Sequence, residues 1–252
     1  MGRPGRQAVK ALLPKLREKM GVDLCLANGE NSAGGAGITP STVKELLGCG
    51  LAALTSGDHI WDQKDILQIV DTDQRLIRPL NYPPNTPGRG STLLRVGDRF
   101  QVGLLNAQGR TFMRPMECPF RALEAEVARL RSQTSILLVD FHAEATSEKN
   151  AMGWFLDGKV SAVFGTHTHV QTSDERILPG GTAYITDVGM CGPRDSVIGC
   201  ETAPIIRRFL SGMPERFEPA SGPVRVCGIL IDVDETTGKA RSIQRVHEVW
   251  EG

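Results

Sequence analysis

The stretch Val160-Ser161-Ala162-Val163-Phe164-Gly165-Thr166-His167-Thr168-His169 places two histidines directly after a short apolar run. The arrangement recurs, because His59 and His142 also follow apolar runs and another run ends in Gly29-Glu30-Asn31. Short apolar runs are typical of buried strands, and the parallel strands of an open α/β sheet end at one edge. Imidazoles and carboxylates that recur where strands end therefore predict an α/β sheet with a metal site at that edge.

Length and composition favour one large domain. The chain has 252 residues, 40% of them hydrophobic, which is enough to bury a full core, and its 28 glycines and 15 prolines indicate many loops. Twenty-nine basic residues balance 29 acidic ones, so no net charge attracts the whole molecule to nucleic acid or to an anionic membrane, although a local basic groove stays open. Without internal repeats or low-complexity linkers, residues 1–252 are interpreted as a single α/β domain.

The cysteines and the absence of long apolar stretches predict a cytoplasmic protein. The six cysteines form no Cys-x-x-Cys pair, and several lie in apolar runs where a thiol packs as a small hydrophobe, so we expect reduced, structural thiols. Residues 1–20 contain no uninterrupted apolar segment, and no stretch approaches the roughly 18 apolar residues of a membrane span. We therefore expect no membrane partner.

Helical and strand patterns alternate through the first part of the chain. The predicted elements are a helix at 8–20 bent near Pro14, a strand at 22–27, a helix at 39–47, a strand at 51–55 and a helix at 62–69. The glycine-rich segment 28–37 separates the first strand from the second helix. Such alternation is typical of parallel strands joined by crossover helices.

The second part of the chain begins with a proline-rich surface loop at 78–90. The predicted elements beyond it are antiparallel strands at 92–96 and 100–105 turned at Gly97-Asp98, a helix at 120–130, strands at 135–139, 160–164 and 183–186, and a closing hairpin of strands at 224–233 and 240–246. Three of the four strand-end histidines fall in this part, at the ends of two of these strands.

The polar residues at the strand ends have the chemistry of a site for two metal ions. Such a site needs about six to eight nitrogen and oxygen ligands, and imidazoles with carboxylate and amide oxygens suit Fe, Mn or Zn. The rings of His167 and His169 can reach neighbouring ions roughly 3.5–4 Å apart. A single histidine after a strand is more often a hydrogen-bonded loop residue, but four histidines and two acids together favour a metal site. His247, in the closing hairpin, is interpreted as structural or exposed.

Six motifs carry these residues and their surroundings. They are Asn28-Gly29-Glu30-Asn31, Gly57-Asp58-His59-Ile60-Trp61-Asp62, Asn106-Ala107-Gln108-Gly109-Arg110-Thr111-Phe112, Asp140-Phe141-His142-Ala143-Glu144-Ala145-Thr146-Ser147-Glu148-Lys149, Gly165-Thr166-His167-Thr168-His169-Val170-Gln171-Thr172 and Ile185-Thr186-Asp187-Val188-Gly189-Met190. Together they resemble the YmdB-like family of bacterial calcineurin-type metallophosphoesterases. Each motif alone is weak, but six in this order are specific, and the resemblance runs from about Gly2 to the C-terminal hairpin.

The resemblance implies a calcineurin-like metallophosphoesterase sandwich, an α/β fold with central mixed β-sheets flanked by helices, as a single metallophosphoesterase domain over residues 1–252. It also implies a phosphodiesterase with two divalent metal ions, iron or manganese, that acts on cyclic nucleotides, including 2′,3′-cyclic ones. By position, the implied metal ligands are Glu30, which bridges both ions, Asn31 and His169 for one ion, and Asp58, His142 and His167 for the other. His59 is the implied general acid.

The chain departs from the family pattern at two places. The family usually has Asn where this chain has Asp58, and the added negative charge predicts tighter binding of that ion with lower Lewis acidity. The family also opens with a strand ending in Gly-Asp, whose Asp binds a metal, whereas this sequence begins inside the following turn at Gly2-Arg3-Pro4-Gly5-Arg6. We therefore expect the natural protein to carry a further strand before Met1, and we expect a gap beside the strands at 22–27 and 51–55 without it.

Arg110 is the candidate for binding a substrate phosphate, although a surface ion pair explains an arginine there nearly as well. Glu144, Thr146 and Ser147 either hold His142 in place or are loop and helix-cap residues.

The main hypothesis is metal-assisted phosphodiester hydrolysis in which His59 protonates the leaving group. The alternative is a degenerate scaffold that binds a nucleotide or an RNA-related partner without turnover, which the unmatched family Asp motivates. The expected partner is a small phosphate ester, and nothing in the composition signals nucleic acid strongly. A homo-oligomer is compatible with the sequence, which does not specify the oligomeric state.

Overall fold

The structure, a computed structural model, describes residues 1–252. The helices are α1 (Gly2–Met20), α2 (Pro40–Gly48), α3 (Pro119–Arg131), α4 (Thr146–Leu156), α5 (Thr202–Ser211) and a 3₁₀ helix (Lys64–Gln68). The strands are β1 (Leu26–Asn28), β2 (Ala53–Thr55), β3 (Ser91–Val96), β4 (Phe100–Gln108), β5 (Ile136–His142), β6 (Ala162–Thr166), β7 (Arg176–Ile177), β8 (Ala183–Ile185), β9 (Cys191–Pro193), β10 (Val224–Val233) and β11 (Ala240–Trp250).

The largest sheet has six strands in the order β3-β4-β5-β6-β8-β7. Its central strands β4, β5, β6 and β8 are parallel, and the edge strands β3 and β7 are antiparallel to their neighbours. The register aligns Gln108 of β4 with His142 of β5, and His142 with Thr166 of β6. The carboxyl ends of these strands therefore meet at one edge, as the histidines that follow the apolar runs led us to expect.

Two smaller sheets complete the fold. Strands β1 and β2 are a parallel pair with Asn28 opposite Thr55, and β10 pairs with β11 along its length and with β9 at one end. The buried Asp140 of β5 joins β1 and β2 to the large sheet, because its carboxylate accepts hydrogen bonds from the Thr55 hydroxyl at 2.5 Å and the Asn28 amide at 3.2 Å. The loops that follow β1, β2, β5 and β6 consequently lie close together.

The main core packs between the large sheet and helices α3 and α4. Helix α3 buries Leu123, Val127 and Leu130 at the helical spacing seen in the sequence. They pack in one cluster with Leu137 and Val139 of β5. Because burying a side chain of this size contributes about 1.5–3 kcal/mol, this layer anchors β5 and fixes the position of its carboxyl end.

Two predicted elements differ from the structure. The helix predicted over 62–69 is confirmed only in part, because Lys64–Gln68 is a short 3₁₀ helix with Ile66 as its only buried side chain. A segment without an apolar face gains too little from packing to hold several α-helical turns. The strand predicted at 22–27 is confirmed only at its end, where β1 begins at Leu26.

Helix α4 lies outside the predicted elements because its buried face is not an apolar stripe. That face consists of Lys149, Met152, Gly153 and Leu156. A lysine and a glycine at two of the four positions interrupt the pattern that signals an amphipathic helix. Helix α5 and the two- and three-residue strands β7 and β9 were also not predicted.

An apolar cavity of about 830 Å³ lies between β1, the large sheet and β10. Its walls include Leu26, Val102, Leu138 and Ile231, and it extends to the residues that follow β1. The cavity borders the segment 22–27, and the upstream strand expected there stays a prediction. None of the helices has both the length and the apolar character needed to cross a membrane. The cytoplasmic location also stays a prediction.

Candidate metal centre

Four polar side chains converge at the edge where the parallel strands end. They are Glu30, Asp58, His142 and His167, and their ligand atoms lie within 4.8 Å of one another. Glu30 follows β1, Asp58 follows β2, His142 ends β5 and His167 follows β6. All four are among the sequence-predicted ligands, and the parallel register explains why residues so distant in the chain meet.

His142 lies in the middle of this cluster and is almost fully buried. Its Nε2 atom is 3.0 Å from the Glu30 carboxylate and 3.0 Å from the Asp58 carboxylate. Its Nδ1 atom is 2.9 Å from the Thr166 hydroxyl, which itself donates to the Asp140 carboxylate at 2.7 Å. Because the Thr166 proton is committed to Asp140, Nδ1 of His142 donates to Thr166, and Nε2 is the nitrogen available to a metal ion.

His167 directs its Nδ1 atom into the cluster, 3.0 Å from His142 Nε2 and 3.4 Å from the Asp58 carboxylate. Its Nε2 atom is 3.1 Å from the Glu144 carboxylate. The Glu144 carboxylate holds a proton on Nε2 and leaves Nδ1 free for a metal ion. One interpretation of the sequence had Glu144 hold His142, but in the structure Glu144 contacts the neighbouring ligand.

His169 and Asn31 extend the cluster on the other side of Glu30. The Nδ1 atom of His169 donates to the carbonyl oxygen of Ile198 at 2.9 Å, so Nε2 carries the lone pair. That Nε2 is 3.1 Å from the Asn31 amide, which lies 3.4 Å from the Glu30 carboxylate. The six predicted ligands therefore form one connected group, with Glu30 between its two halves.

The electrostatics of the group favour a positive charge at its centre. Burial alone would lower the pKa of His142, but the Glu30 charge and the hydrogen bonds to Asp58 and Glu30 raise it to about 10. Burial would raise the pKa of Glu30 and of Asp58, yet their contacts with His142, and with His167 for Asp58, hold both well below the usual range. Two ionised carboxylates thus surround one protonated ring. A divalent ion in place of that proton satisfies the same carboxylates, and the all-nitrogen-and-oxygen donor set suits Fe, Mn or Zn.

His59 lies beside the cluster and is held by Asp62. Its backbone N–H donates to the Glu30 carboxylate at 3.2 Å, and its ring Nδ1 is 2.7 Å from the Asp62 carboxylate. Burial lowers the pKa of His59, but the hydrogen bond to Asp62 and the charges of Glu30 and Asp58 outweigh it and raise that pKa. A half-exposed ring that holds its proton well and has one nitrogen fixed has the properties of a proton donor.

Gly57 lets the backbone pass close to the cluster. A Cβ atom at this position would lie 2.2 Å from His142 Nε2 and 2.4 Å from the Glu30 carboxylate. Any side chain there would displace two candidate ligands, so the glycine before Asp58 is a requirement of the site.

Arg110 lies outside the cluster, on the exposed loop after β4. Its guanidinium faces the Cys118 thiol at 3.7 Å, in a shallow depression that Arg121 also borders. Arg110 forms no salt bridge, so the surface ion pair considered for it is not seen. Phosphate binding by Arg110 stays a prediction. Thr146 and Ser147 begin helix α4, and neither forms a hydrogen bond with any of the three ligand histidines.

Three supporting residues were not predicted, although the sequence carries a signal for two of them. Asp62 follows His59 by three residues in a turn, which brings the two side chains together. Asp140 precedes His142 by two residues, and the period of a strand places both on one face. Thr166 is the register partner of His142 across β5 and β6, so only knowledge of the strand pairing would identify it.

The fold and the ligand cluster define a calcineurin-like α/β protein, as the sequence predicted, with a centre suited to divalent metal ions. The chain belongs to the YmdB-like family, whose model matches residues 1–246. It is 46% identical to a 2′,3′-cyclic-nucleotide 2′-phosphodiesterase of Bacillus subtilis (strain 168), across 98% of this chain and 93% of that protein.

Two solved structures have the same fold across nearly the whole chain. A hypothetical protein from Thermus thermophilus is 41% identical, with a TM-score of 0.92 and coverage of 100% of this chain and 96% of that one. A phosphatase from Mycoplasma pneumoniae is 36% identical, with a TM-score of 0.93 and coverage of 99% of this chain and 90% of that one.

Proposed function

We propose that this protein hydrolyses phosphodiesters with two divalent metal ions, iron or manganese. The residues that would hold them are Glu30, Asn31, Asp58, His142, His167 and His169. The orientation of the three histidines supports this proposal most directly. Each ring bonds one nitrogen to an acceptor outside the cluster and directs the other toward a carboxylate or Asn31.

The broader class does not depend on the metal assignment. The prediction of an enzyme that hydrolyses phosphate esters is confirmed, because a relative matching nearly the whole chain is a phosphodiesterase and a structural neighbour is a phosphatase. We add three points as a proposal: the identity and number of the metal ions, the role of each residue, and the substrate.

The donors divide into two positions that share Glu30. Asp58, His142 and His167 would hold one ion with a carboxylate and two imidazoles, whereas Asn31 and His169 would hold the other with an amide and one imidazole. Bound divalent ions supply Lewis-acid activation of the phosphate and of the attacking water. Because the second position has no carboxylate besides Glu30, we expect it to bind its ion more weakly.

His59 would protonate the leaving group. Hydrolysis of one P–O ester bond adds one water, with the hydroxyl going to phosphorus and the proton to the departing oxygen. Asp62 fixes Nδ1 of His59, which leaves Nε2–H free to donate. The raised pKa favours the protonated ring, which is the form that a general acid needs.

We propose cyclic nucleotides as the substrates, and 2′,3′-cyclic nucleotides in particular. The Bacillus subtilis relative is a 2′,3′-cyclic-nucleotide 2′-phosphodiesterase. Cleavage of the P–O2′ bond would leave a 3′-phosphate and a 2′-hydroxyl that has received the His59 proton. Arg110 is the proposed contact for a phosphate oxygen of the substrate.

The test combines metal analysis with turnover of a substrate panel. The protein is stripped of metal, reconstituted with Mn²⁺ or Fe²⁺, and assayed on 2′,3′- and 3′,5′-cyclic nucleotides. We expect two ions per chain at saturation and hydrolysis of the 2′,3′-cyclic nucleotide. His142→Ala and His167→Ala should each abolish turnover and lower the metal content, because each removes a ligand nitrogen. The matched control is His247→Ala, which removes an exposed histidine of β11 that is not a candidate ligand and should change neither.

A reconstituted protein that holds almost no metal and turns over none of the panel would contradict the proposal and favour the regulatory scaffold. Full metal content and wild-type turnover in either His142→Ala or His167→Ala would show that the ligands are assigned wrongly.

A further inference from the structure

Two candidate metal ligands lie in a backbone conformation that side chains rarely adopt. His167 has φ 97° and His169 has φ 65°, and both fall in the left-handed region that favours glycine. Non-glycine residues persist there only where the surrounding structure holds them. Thr168 lies between them, so the contacts of Thr168 decide whether this segment keeps its shape.

Asp187 holds Thr168 with a single carboxylate oxygen. Oδ2 of Asp187 accepts hydrogen bonds from the Thr168 backbone N–H at 3.1 Å and from the Thr168 hydroxyl at 2.7 Å. Oδ1 accepts from the Gly189 backbone N–H at 2.8 Å. Asp187 therefore connects the segment after β6 to the segment after β8.

Lys149 of helix α4 completes the arrangement. Its Nζ atom donates to Asp187 Oδ2 at 2.8 Å, and both residues are only 1% exposed. The Lys149 side chain passes beneath the start of the histidine segment, where a Cβ on Gly165 would lie 3.0 Å from its Cδ atom. A buried ion pair contributes little net stability compared with apolar residues of similar size, so stability alone does not explain it.

We infer that Lys149 and Asp187 are positioning residues for His167 and His169. The pair holds Thr168 in place, and the left-handed conformations on either side then direct His167 to the cluster with Glu30 and His169 to Asn31. The metal-binding part of this inference rests on the proposed function. The backbone part does not, because it concerns how the segment is held when no metal is bound.

The first experiment measures the strain in the metal-free protein. His167→Gly and His167→Ala are compared by thermal melting, first with the ion pair intact and then in a Lys149→Met/Asp187→Ala background, which leaves no unpaired buried charge. With the pair intact, the glycine variant should melt roughly 2–6 °C above the alanine variant, because glycine relieves the strained φ. Without the pair, the segment should relax and this difference should fall by more than half.

A second pair of variants keeps the test independent of whether the double background folds. Thr168→Val removes the hydroxyl that donates to Asp187, whereas Thr168→Ser keeps it. The difference in melting temperature between His167→Gly and His167→Ala should shrink in the Thr168→Val background and persist in the Thr168→Ser background. A difference in melting temperature of equal size in every background would overturn the inference.

The second experiment is a Mn²⁺ titration of the variants that retain all ligands. Loss of a group that orients a ligand typically weakens metal binding about 10–100-fold, and we expect a loss of this size for Lys149→Met/Asp187→Ala and a smaller one for Thr168→Val. Val224→Ala is the control, because it destabilises the small cluster between α1 and β10, which contains none of the candidate ligands, and should leave Mn²⁺ affinity unchanged. Unchanged affinity in the double variant would overturn the metal-binding part. If the wild-type protein binds no Mn²⁺, both the proposed function and the role of Lys149 and Asp187 in metal binding are contradicted. The melting comparison would still decide whether the pair holds the backbone around Thr168.

Discussion

The chemistry of individual residues in the centre is set by where each imidazole places its protons. Thr166, Glu144 and the Ile198 carbonyl each receive one ring N–H from His142, His167 or His169. The nitrogen opposite that N–H faces the carboxylates or Asn31. His59 differs, because its Nδ1 atom is held by the Asp62 carboxylate and its ring forms no hydrogen bond with a candidate ligand. This placement of protons agrees with the proposed roles of three histidines as metal ligands and of His59 as the proton donor.

The proposed role of His59 predicts a loss of rate without a loss of metal. His59→Ala should retain most of its metal and lose about 10²–10⁴-fold in kcat on an unactivated 2′,3′-cyclic nucleotide, which is the usual contribution of a general acid. The loss in kcat should be much smaller on a nitrophenyl diester, because its leaving group needs little protonation. Equal losses on both substrates would contradict the role.

The contact between His59 and Asp62 predicts a change in the pH profile. The hydrogen bond to Asp62 raises the pKa of His59 against the effect of burial, so Asp62→Asn should lower that pKa. A protonated His59 is required, and the alkaline decline of kcat should therefore begin at lower pH in the variant. Asp65→Asn, which neutralises an exposed aspartate in the neighbouring 3₁₀ helix, is the control. If kcat declines at the same alkaline pH in the wild type and both variants, Asp62 is not the residue that raises the pKa of His59.

At the scale of elements, the loops that follow the parallel strands carry the site, and neighbouring helices hold those loops. Glu148 of α4 provides an example, because its carboxylate accepts the backbone N–H groups of Arg110 and Thr111 at 3.0–3.1 Å. The loop after β4 is therefore fixed by a helix that begins just after β5. Lys149, the next residue of that helix, reaches in the same way to the loops after β6 and β8.

This arrangement predicts an effect of Glu148 on substrate binding. Glu148→Ala should lower the free energy of unfolding by about 0.5–1.5 kcal/mol, because two exposed backbone N–H groups exchange a charged acceptor for water, and Glu148→Gln should lower it less. If Arg110 binds the substrate phosphate, Glu148→Ala should also raise KM more than it lowers kcat. Glu124→Ala on the exposed face of α3 is the control for both measurements. An unchanged KM in both Glu148→Ala and Arg110→Lys would remove Arg110 from the substrate site.

At the scale of the whole molecule, the centre joins the small parallel sheet to the large mixed sheet. Asp140 connects the two with hydrogen bonds to Thr55 and Asn28, and burial raises the pKa of its own carboxyl. Glu30 and Asp58 extend from the small sheet, and His142 extends from the large one. The charges at this junction therefore affect the stability of the entire fold.

The protonation of His142 predicts how stability and metal affinity depend on pH. In the metal-free protein its pKa is raised to about 10, compared with 6.5 for an ordinary histidine. A raised pKa means that protonation stabilises the folded state, so this contribution is complete below about pH 6.5 and is lost as pH rises toward 10. Thermal melting of the metal-free protein from about pH 6.5 to 9.5 should show the decline, and His142→Gln should flatten it.

The same proton competes with metal, so Mn²⁺ affinity should rise with pH by up to about tenfold per unit between pH 7 and 9. Calorimetry in two buffers of different ionisation enthalpy should detect close to one proton released per ion bound at this position. Affinity that stays constant over this range would show that His142 binds metal without losing a proton.

The sequence by itself determined the class of fold and the list of candidate ligands. Alternating helical and strand patterns predicted the parallel pairing that β1 and β2 show, and polar residues after apolar runs marked Glu30, Asp58, His142 and His167 as candidate ligands, because residue type and strand period are local properties. The tertiary structure decided which ring nitrogen faces inward, that Asp62 holds His59 and that Glu144 contacts His167. It also placed a buried lysine on α4, which interrupts the apolar pattern by which that helix would have been predicted. These features depend on strand register and on contacts between residues far apart in the chain, and no local pattern encodes them.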